Sequence, residues 1–354
     1  MRRLLVIRWG ALGDLIHASA AVQALKQAYP EMEVHWLTSP AYRALVASFA
    51  GVDRVWTWEK GQGLWALGQL AGQFRKVGMD GVINLHPSLK SLLFTALVRP
   101  RGSAVYRKEK LRSKGQGQRA IPRRHAASDF YQPFQRLFPA LPDGLPTIPA
   151  LPPSVLRQAA VPVKPDGAVW VGLIPGVGAK RGNRAWAISA YVRLIETLLG
   201  QNPELQVLLV GGPEERALVQ QILDELATAP GHSNPRVQNH CGRYDILGTA
   251  SVLAQCDVVV GGDTGPMHLA AATGVAVVGI FGPTALSRTG PLAHGASRMI
   301  TPPGDLACWP CEQADCPYTD AERQLACMRQ ISVAQVESAV LALLPNPPAG
   351  TPER

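Results

Sequence analysis

Cysteine is absent from the first 240 residues of this 354-residue chain. All six cysteines lie at or after Cys241, so a disulfide framework holding the whole fold is not expected, and reduced thiols suit the cytosol. Long apolar runs are also missing. None approaches the roughly 20 residues that span a bilayer, and in the N-terminal MRRLLVIRWGALGD a brief apolar run is interrupted by Gly10 and Asp14 before a signal-peptide core could form. No internal repeat is evident beyond two halves that share one alternation of strands and helices. What these absences leave is a globular protein of cytosolic type. With 47% hydrophobic residues over 354 positions it exceeds what one core usually supports, so two domains are expected.

Acidic residues are scarce where basic ones collect. The formal net charge is +9, and between Arg99 and Arg124 ten basic residues face Glu109 alone, which matches the whole excess. That charge implies an anionic partner. Nucleic acid is disfavoured, because Tyr106 is the only aromatic in the run available to stack on a base.

Short apolar runs at Leu4–Ile7, Glu33–Leu37, Arg54–Trp58 and Gly81–Leu85 read as strands. Between them, helical spacing appears from about Asp14 to Tyr29 and near residues 41–50, 64–77 and 88–98, with another helix around Ser128–Phe138. A second series of strands occupies Ala168–Ile174, Gln206–Val210, Asp257–Val260 and Val275–Phe281. Strands alternating with helices predict an α/β protein with parallel sheets covered on both faces. Prolines recur from Pro139 to Pro165, where neither helix nor central strand is sustained. The expected division is therefore an N-terminal domain over 1–150, a Pro-rich linker over 151–166, a second domain over 167–331, a C-terminal helix over 332–344 and a disordered tail over 345–354.

The stretch from Cys256 to Thr284, CDVVVGGDTGPMHLAAATGVAVVGIFGPT, organises the second half. It reads as buried strand, glycine turn, short helix, buried strand. Asp263, Thr264 and Gly265 then fall at a strand's carboxyl end and a helix's positive end, where free N–H groups favour anions such as phosphate. A plain helix cap at Asp263 or Thr264 is the alternative. His268 lies one turn into that helix. Asp14 has an equivalent place in the first half, after a glycine turn and beside a strand end, which is where open α/β sheets bind ligands. After the strand ending at Val210, Glu214 and Glu215 sit where a carboxylate can accept from ribose hydroxyls, a helix-capping role for Glu214 being the alternative. The loop 175–186 carries Lys180 and Arg184, either of which can offset an anion.

The order Asp263-Thr264-Gly265-Pro266-Met267-His268, followed by Leu-Ala-Ala-Ala and Phe281-Gly282-Pro283-Thr284, resembles the donor-site motif of the ADP-heptose:lipopolysaccharide heptosyltransferases. Gly10–His17 is similar to that family's amino-terminal Gly-Asp motif. The resemblance implies a GT-B fold, two Rossmann-like βαβ domains facing across a cleft, the first taking the acceptor and the second the nucleotide sugar. It further implies inverting transfer of heptose from ADP-heptose to the lipopolysaccharide inner core, without a metal or other cofactor, and no Asp-x-Asp pair of the metal-chelating kind is found. Asp14 becomes the general base. Arg184 or Lys180 meets the departing diphosphate; Arg184, with Trp186, stands at a position that is commonly Lys in a Lys-x-Trp. Gly13, Glu215, Asp263, Thr264, Gly265 and His268 become donor contacts. His17, Arg107, Lys108, Lys110 and Arg112 become acceptor contacts for an anionic glycolipid, lipid A with inner-core sugars, at the cytoplasmic face of the inner membrane. The alternatives are an inverting transferase for another nucleotide hexose, or a noncatalytic nucleotide-sugar or nucleic-acid binding protein.

Cys308-x2-Cys311-x4-Cys316-x10-Cys327 matches no zinc module in its spacing and lacks a second C-x-x-C, so ordinary thiols are expected there and no metal ligand is assigned.

Overall fold

In the computed structural model, which describes the chain except for residues 60, 110–123, 158–159, 179–180, 228–233, 293, 305 and 346–354, eleven strands form two wholly parallel sheets. The first sheet contains β1 (Arg3–Ile7), β2 (Glu33–Thr38), β3 (Arg54–Thr57), β4 (Gly81–Asn84) and β5 (Gly102–Val105) in the order β3-β2-β1-β4-β5. The second contains β6 (Val169–Ile174), β7 (Leu205–Leu209), β8 (Val237–Asn239), β9 (Val258–Gly262), β10 (Ala276–Ile280) and β11 (Ser297–Ile300) in the order β11-β10-β9-β6-β7-β8. Each sheet has an apolar strand at its heart. Leu4–Ile7 of β1 and Val258–Val260 of β9 are fully buried, which explains why these runs do not alternate with polar residues.

The helices of the first half are α1 (Leu12–Ala28), α2 (Arg43–Ala47), α3 (Leu64–Val77), α4 (Leu89–Val98), α5 (Ala126–Leu137) and α6 (Pro153–Leu156). Those of the second are α7 (Ile188–Gln201), α8 (Arg216–Leu226), α9 (Ile246–Ala254), α10 (Gly265–Thr273), α11 (Leu286–Thr289), α12 (Ala326–Arg329) and α13 (Val333–Leu341). Along α1 the stripe Leu15, Ala18, Val22 and Leu25 is fully buried, as its three-and-four spacing requires. α13 starts where Ser332 and Gln335 form a capping box, Ser332 Oγ accepting from the Gln335 N–H at 3.2 Å.

The chain divides into two units. The first holds β1–β5, α1–α6 and, from much later in the sequence, Ser287–Leu292 with most of α11; the second holds β6–β11, α7–α10, α12 and α13. Arg288 fixes the late segment in the first unit. It is 2% exposed, and its Nη2 pairs with Asp129 Oδ2 at 2.6 Å while Nη1 donates to the Arg124 carbonyl at 3.1 Å. Asp129 is fully buried and also accepts from the Glu109 N–H and from Arg124 Nε. A buried carboxylate with three donors, two of them guanidinium groups, is well compensated.

Candidate active site

Both sheets reverse their strand order at one point, and each reversal opens a crevice at the carboxyl ends of two neighbouring strands. In the second sheet the reversal lies between β6 and β9. Gly261 lets the two strands come close, since a Cβ there would stand 3.0 Å from that of Ile174. Past the end of β9 the chain reaches Asp263. From β6 it runs through a loop to the short turn Gly182–Arg184. The two meet: Arg184 Nη1 donates to the backbone carbonyl and to Oδ2 of Asp263, both at 2.9 Å. His268 Nε2, one turn into α10, lies 3.6 Å from Asp263 Oδ1. Asp263 and His268 are 4% and 6% exposed.

Asp263 therefore holds Arg184 instead of capping α10. Thr264 occupies the cap position without a side-chain cap bond. Its Oγ1 is buried, as are Thr284 Oγ1 and Arg184 Nε, and none of the three has a hydrogen-bond partner among the described residues. The Thr264 hydroxyl, a guanidinium edge of Arg184 and the first amides of α10 thus meet at one crevice, a donor set suited to an anion with hydroxyl neighbours. Gly265 opens α10, and Pro266 stands in the first turn, where its missing N–H removes no helical bond.

Glu215 lies beside this crevice, after β7. Its Oε2 accepts from the Gly212 N–H at 2.9 Å. A Cβ on Gly176 would stand 1.8 Å from its Oε1, and one on Gly211 would stand 2.5 Å from Oε2. The carboxylate thus rests on two bare backbone positions, at the ends of neighbouring strands β6 and β7. Burial raises its pKa against the lowering effect of the Gly212 and Gly178 amides.

In the first sheet the reversal lies between β1 and β4. Arg8 follows β1 directly, and its Nη1 donates to the Leu85 carbonyl at 2.6 Å. Its Nη2 pairs with Asp14 Oδ2, and its guanidinium carbon sits 5.1 Å from the centre of the Phe130 ring. Asp14 is the third residue of α1, whose N-cap is Ala11. Its side chain is 38% exposed, so the ion pair orients the carboxylate without removing it from solvent. Gly13 is buried in the same turn. Tyr106 stacks on Phe130 with centroids 4.7 Å apart, and burial, followed by the charges of Asp129 and Asp14, pushes its phenol up to about 12. It remains a proton-bearing donor at neutral pH.

His17 is 3% exposed and meets His125 edge-on at 5.1 Å. His125 in turn accepts from the Ala127 N–H at Nδ1 and donates from Nε2 to the Gly290 carbonyl at 2.9 Å. Arg107 and Lys108 are exposed on the chain leaving β5. Lys110, Arg112 and Lys180 lie outside the described residues. Arg8, Tyr106 and Thr284 were not singled out by sequence reasoning. For Arg8 a signal existed: a cation immediately after a buried strand and before a glycine turn.

The cysteine-rich segment packs beside the crevice at the ends of β6 and β9. Cys308, Cys311, Cys316 and Cys327 line one small cavity together with Asn183, the neighbour of Arg184. Burial pushes the Cys327 thiol up to about 12. Among the described residues no group of three or more His, Cys, Asp or Glu side chains is placed to hold a metal ion. What the segment does visibly is brace the turn after β10. The Cys311 and Glu312 amides donate to the Pro283 carbonyl, and Trp309 Nε1 donates to that of Gly282 at 2.7 Å. Glu312 accepts from the Ala285 N–H at 2.7 Å, and Asn183 donates to the Gln313 carbonyl at 3.0 Å. Trp186 belongs to the core, 5% exposed with its Nε1 donating to the Ile331 carbonyl.

Known proteins resemble this arrangement in sequence and in fold. Residues 156–321 match the sequence model of glycosyltransferase family 9 (heptosyltransferase). Lipooligosaccharide heptosyltransferase 2 of Campylobacter jejuni is 29% identical over 181 residues, 51% of this chain. That alignment spans about half of the relative's length, 53%. Lipopolysaccharide heptosyltransferase 1 of Pseudomonas aeruginosa is 26% identical over 381 residues, covering 98% of this chain and 99% of the relative. The solved structure of Escherichia coli ADP-heptose LPS heptosyltransferase II matches with a TM-score of 0.74 at 19% identity, over 97% of this chain and 98% of that one, so the two share the two-domain GT-B fold. The match to the glycosyltransferase family 9 model falls on the region that carries the Asp263–His268 motif, and the GT-B fold is shared along nearly the whole length of the chain.

Proposed function

We propose that the protein transfers heptose from ADP-heptose to the inner core of lipopolysaccharide, with inversion at the anomeric carbon and without a metal cofactor. Asp14 takes the proton of the acceptor hydroxyl, a role that contributes about 10²–10⁴-fold in rate. The hydroxyl oxygen attacks the anomeric carbon from the face opposite ADP, the bond from that carbon to the diphosphate oxygen breaks, and ADP leaves with the electron pair. Arg8 keeps Asp14 turned toward the crevice through Oδ2, so Oδ1 is the oxygen that accepts the proton.

The observation that carries the reading is the fixed Arg184–Asp263 pair at the start of α10. A guanidinium already bound on one edge and unbound at Nε is pre-organised for a diphosphate oxygen, and the helix end adds to its field. Asp263, neutralised by Arg184, is left to accept from a sugar hydroxyl. His268 donates to a phosphate oxygen, and Glu215 accepts from the ribose. The acceptor reading rests on charge: exposed Arg107 and Lys108 begin the basic run and suit the carboxylates and phosphates of lipid A with inner-core sugars at the cytoplasmic face of the inner membrane.

The test is to offer the purified protein ADP-heptose, UDP-glucose and GDP-mannose in turn, each with inner-core acceptors, and to measure the nucleotide released. Acceptor-dependent release of ADP alone is expected. Release of UDP or GDP would assign the chain to a transferase for another nucleotide hexose.

A further inference from the structure

The starts of α3 and α4 carry apolar side chains on their outer surfaces. Leu64 and Trp65, the first residues of α3, are 60% and 77% exposed; Leu89, Leu92 and Leu93 of α4 are 86%, 44% and 43% exposed. On α4 the residues that pack inward are Ser91, Phe94, Thr95 and Val98. At 100° per residue, positions 89, 92 and 93 fall on the opposite side. A helix on a water-facing surface places polar residues there. This one places three leucines.

Topology puts the two apolar starts on one rim. Each helix connects parallel strands and so runs opposite to them, which leaves its first turn at the sheet's carboxyl edge, the edge that also carries Arg8 and Asp14. α3 and α4 pack against one another. A chain of ring contacts leads inward from them. Lys90 Nζ stands 5.7 Å from the Trp58 ring, Trp58 is 5.0 Å from Trp9, and Trp9 is 4.9 Å from His86. Trp9 adjoins the turn that delivers Asp14.

The exposed charge around this rim is mostly positive, with Glu59 as a counter-charge. α3 and α4 contain no acidic residue; Glu59 lies in the loop before α3, and Asp80 follows α3 at the other end of the sheet. Lys90, Arg107 and Lys108 are exposed on the same edge. Leucines to bury, an exposed tryptophan for the headgroup level and lysines that keep their charge in water match the interface of an anionic bilayer. Among the described residues no helix is long and apolar enough to cross a membrane. Five side chains at helix starts reach only the headgroup and upper acyl region.

We propose that the rim formed by Leu64, Trp65, Leu89, Leu92 and Leu93 seats the first unit on an anionic lipid surface, presenting the Asp14 crevice to an acceptor anchored in that surface. The inference deepens the glycolipid reading above and rests on it. It also assigns the membrane contact to an apolar rim, with the basic run as its electrostatic complement.

The test uses the full chain with vesicles of phosphatidylcholine plus phosphatidylglycerol, and with vesicles of phosphatidylcholine alone, followed by co-sedimentation. Wild type is expected to sediment with the anionic vesicles and not with the neutral ones. Combining Trp65→Ser with Leu89→Gln, both at exposed positions and so expected to leave the Tm unchanged, should weaken binding at least about tenfold. Transfer to an acceptor embedded in vesicles should fall with it, whereas transfer to a water-soluble, delipidated inner-core oligosaccharide should match wild type. Failure of wild type to bind anionic vesicles, equal binding to both compositions, or unchanged binding by the variant would overturn the rim. So would a loss of self-association in the variant with vesicle binding intact, since the rim would then be covered by a second copy. Failure of wild type to transfer to the soluble oligosaccharide would count against the heptosyltransferase reading and leave the vesicle result to judge the rim.

Discussion

Asp263 is 4% exposed, and the Arg184 guanidinium is what compensates its charge there. Arg184→Met leaves a buried carboxylate without its cation and is expected to destabilise the protein by about 3 kcal/mol, read by urea denaturation, and to weaken ADP binding. Arg184→Lys restores the charge but not the planar fork, so stability should largely return while ADP affinity, measured by titration calorimetry, stays reduced. Glu215 makes the opposite trade. Because burial raises its pKa, the folded chain keeps the proton at pH values where the unfolded chain has lost it, and stability falls as pH rises from the ordinary carboxylate range through the raised value. Glu215→Gln should therefore raise Tm at about pH 8, converge with wild type below the ordinary carboxylate range, and weaken ADP binding. Thermal scans at the two pH values, with ADP titrations beside them, check both halves.

The elements position these groups by leaving side chains out. Gly176→Ala would place a Cβ 1.8 Å from Glu215 Oε1 and should expel that carboxylate from the crevice, destabilising the protein and weakening ADP binding. In a double-mutant cycle with Glu215→Ala the stability cost should shrink sharply, because the atoms in conflict are gone. The sequence allowed the buried strands and both glycine turns to be recognised, since a central parallel strand is a continuous apolar run. It did not reveal β5, β8 or β11. All three are edge strands, β5 and β11 are mostly part-exposed or exposed, and β8 is three residues long, so none carries an apolar run. Asp14, Glu215 and Asp263 could be singled out because each follows a glycine turn at a strand end. Their partners were harder to see. Arg8 and Asp14 meet across the single turn between β1 and α1, whereas Arg184 lies 79 residues from Asp263 and becomes its neighbour only through the strand order.

At the scale of the whole molecule, the segment Ser287–Leu292 belongs with residues far upstream. Nothing in Leu-Ser-Arg-Thr announces this, because the partners of Arg288, Asp129 and Glu109, lie more than 150 residues earlier. Arg288→Met leaves the fully buried Asp129 with Arg124 as its remaining paired cation and should cost about 3 kcal/mol in urea denaturation. The crevice proposed for the nucleotide, in the second unit, contains none of these residues, so ADP affinity in native buffer should change little.

The claim on which the account turns is that one carboxylate in the first unit performs the chemistry while the second unit grips the nucleotide. Asp14→Asn, assayed at once for ADP affinity and for heptose transfer, tests it most directly. The account predicts an ADP Kd within about twofold of wild type and transfer reduced by about 10²–10⁴-fold, the share of a general base. Transfer near the wild-type rate, or a loss of ADP binding as large as the loss of transfer, would contradict it.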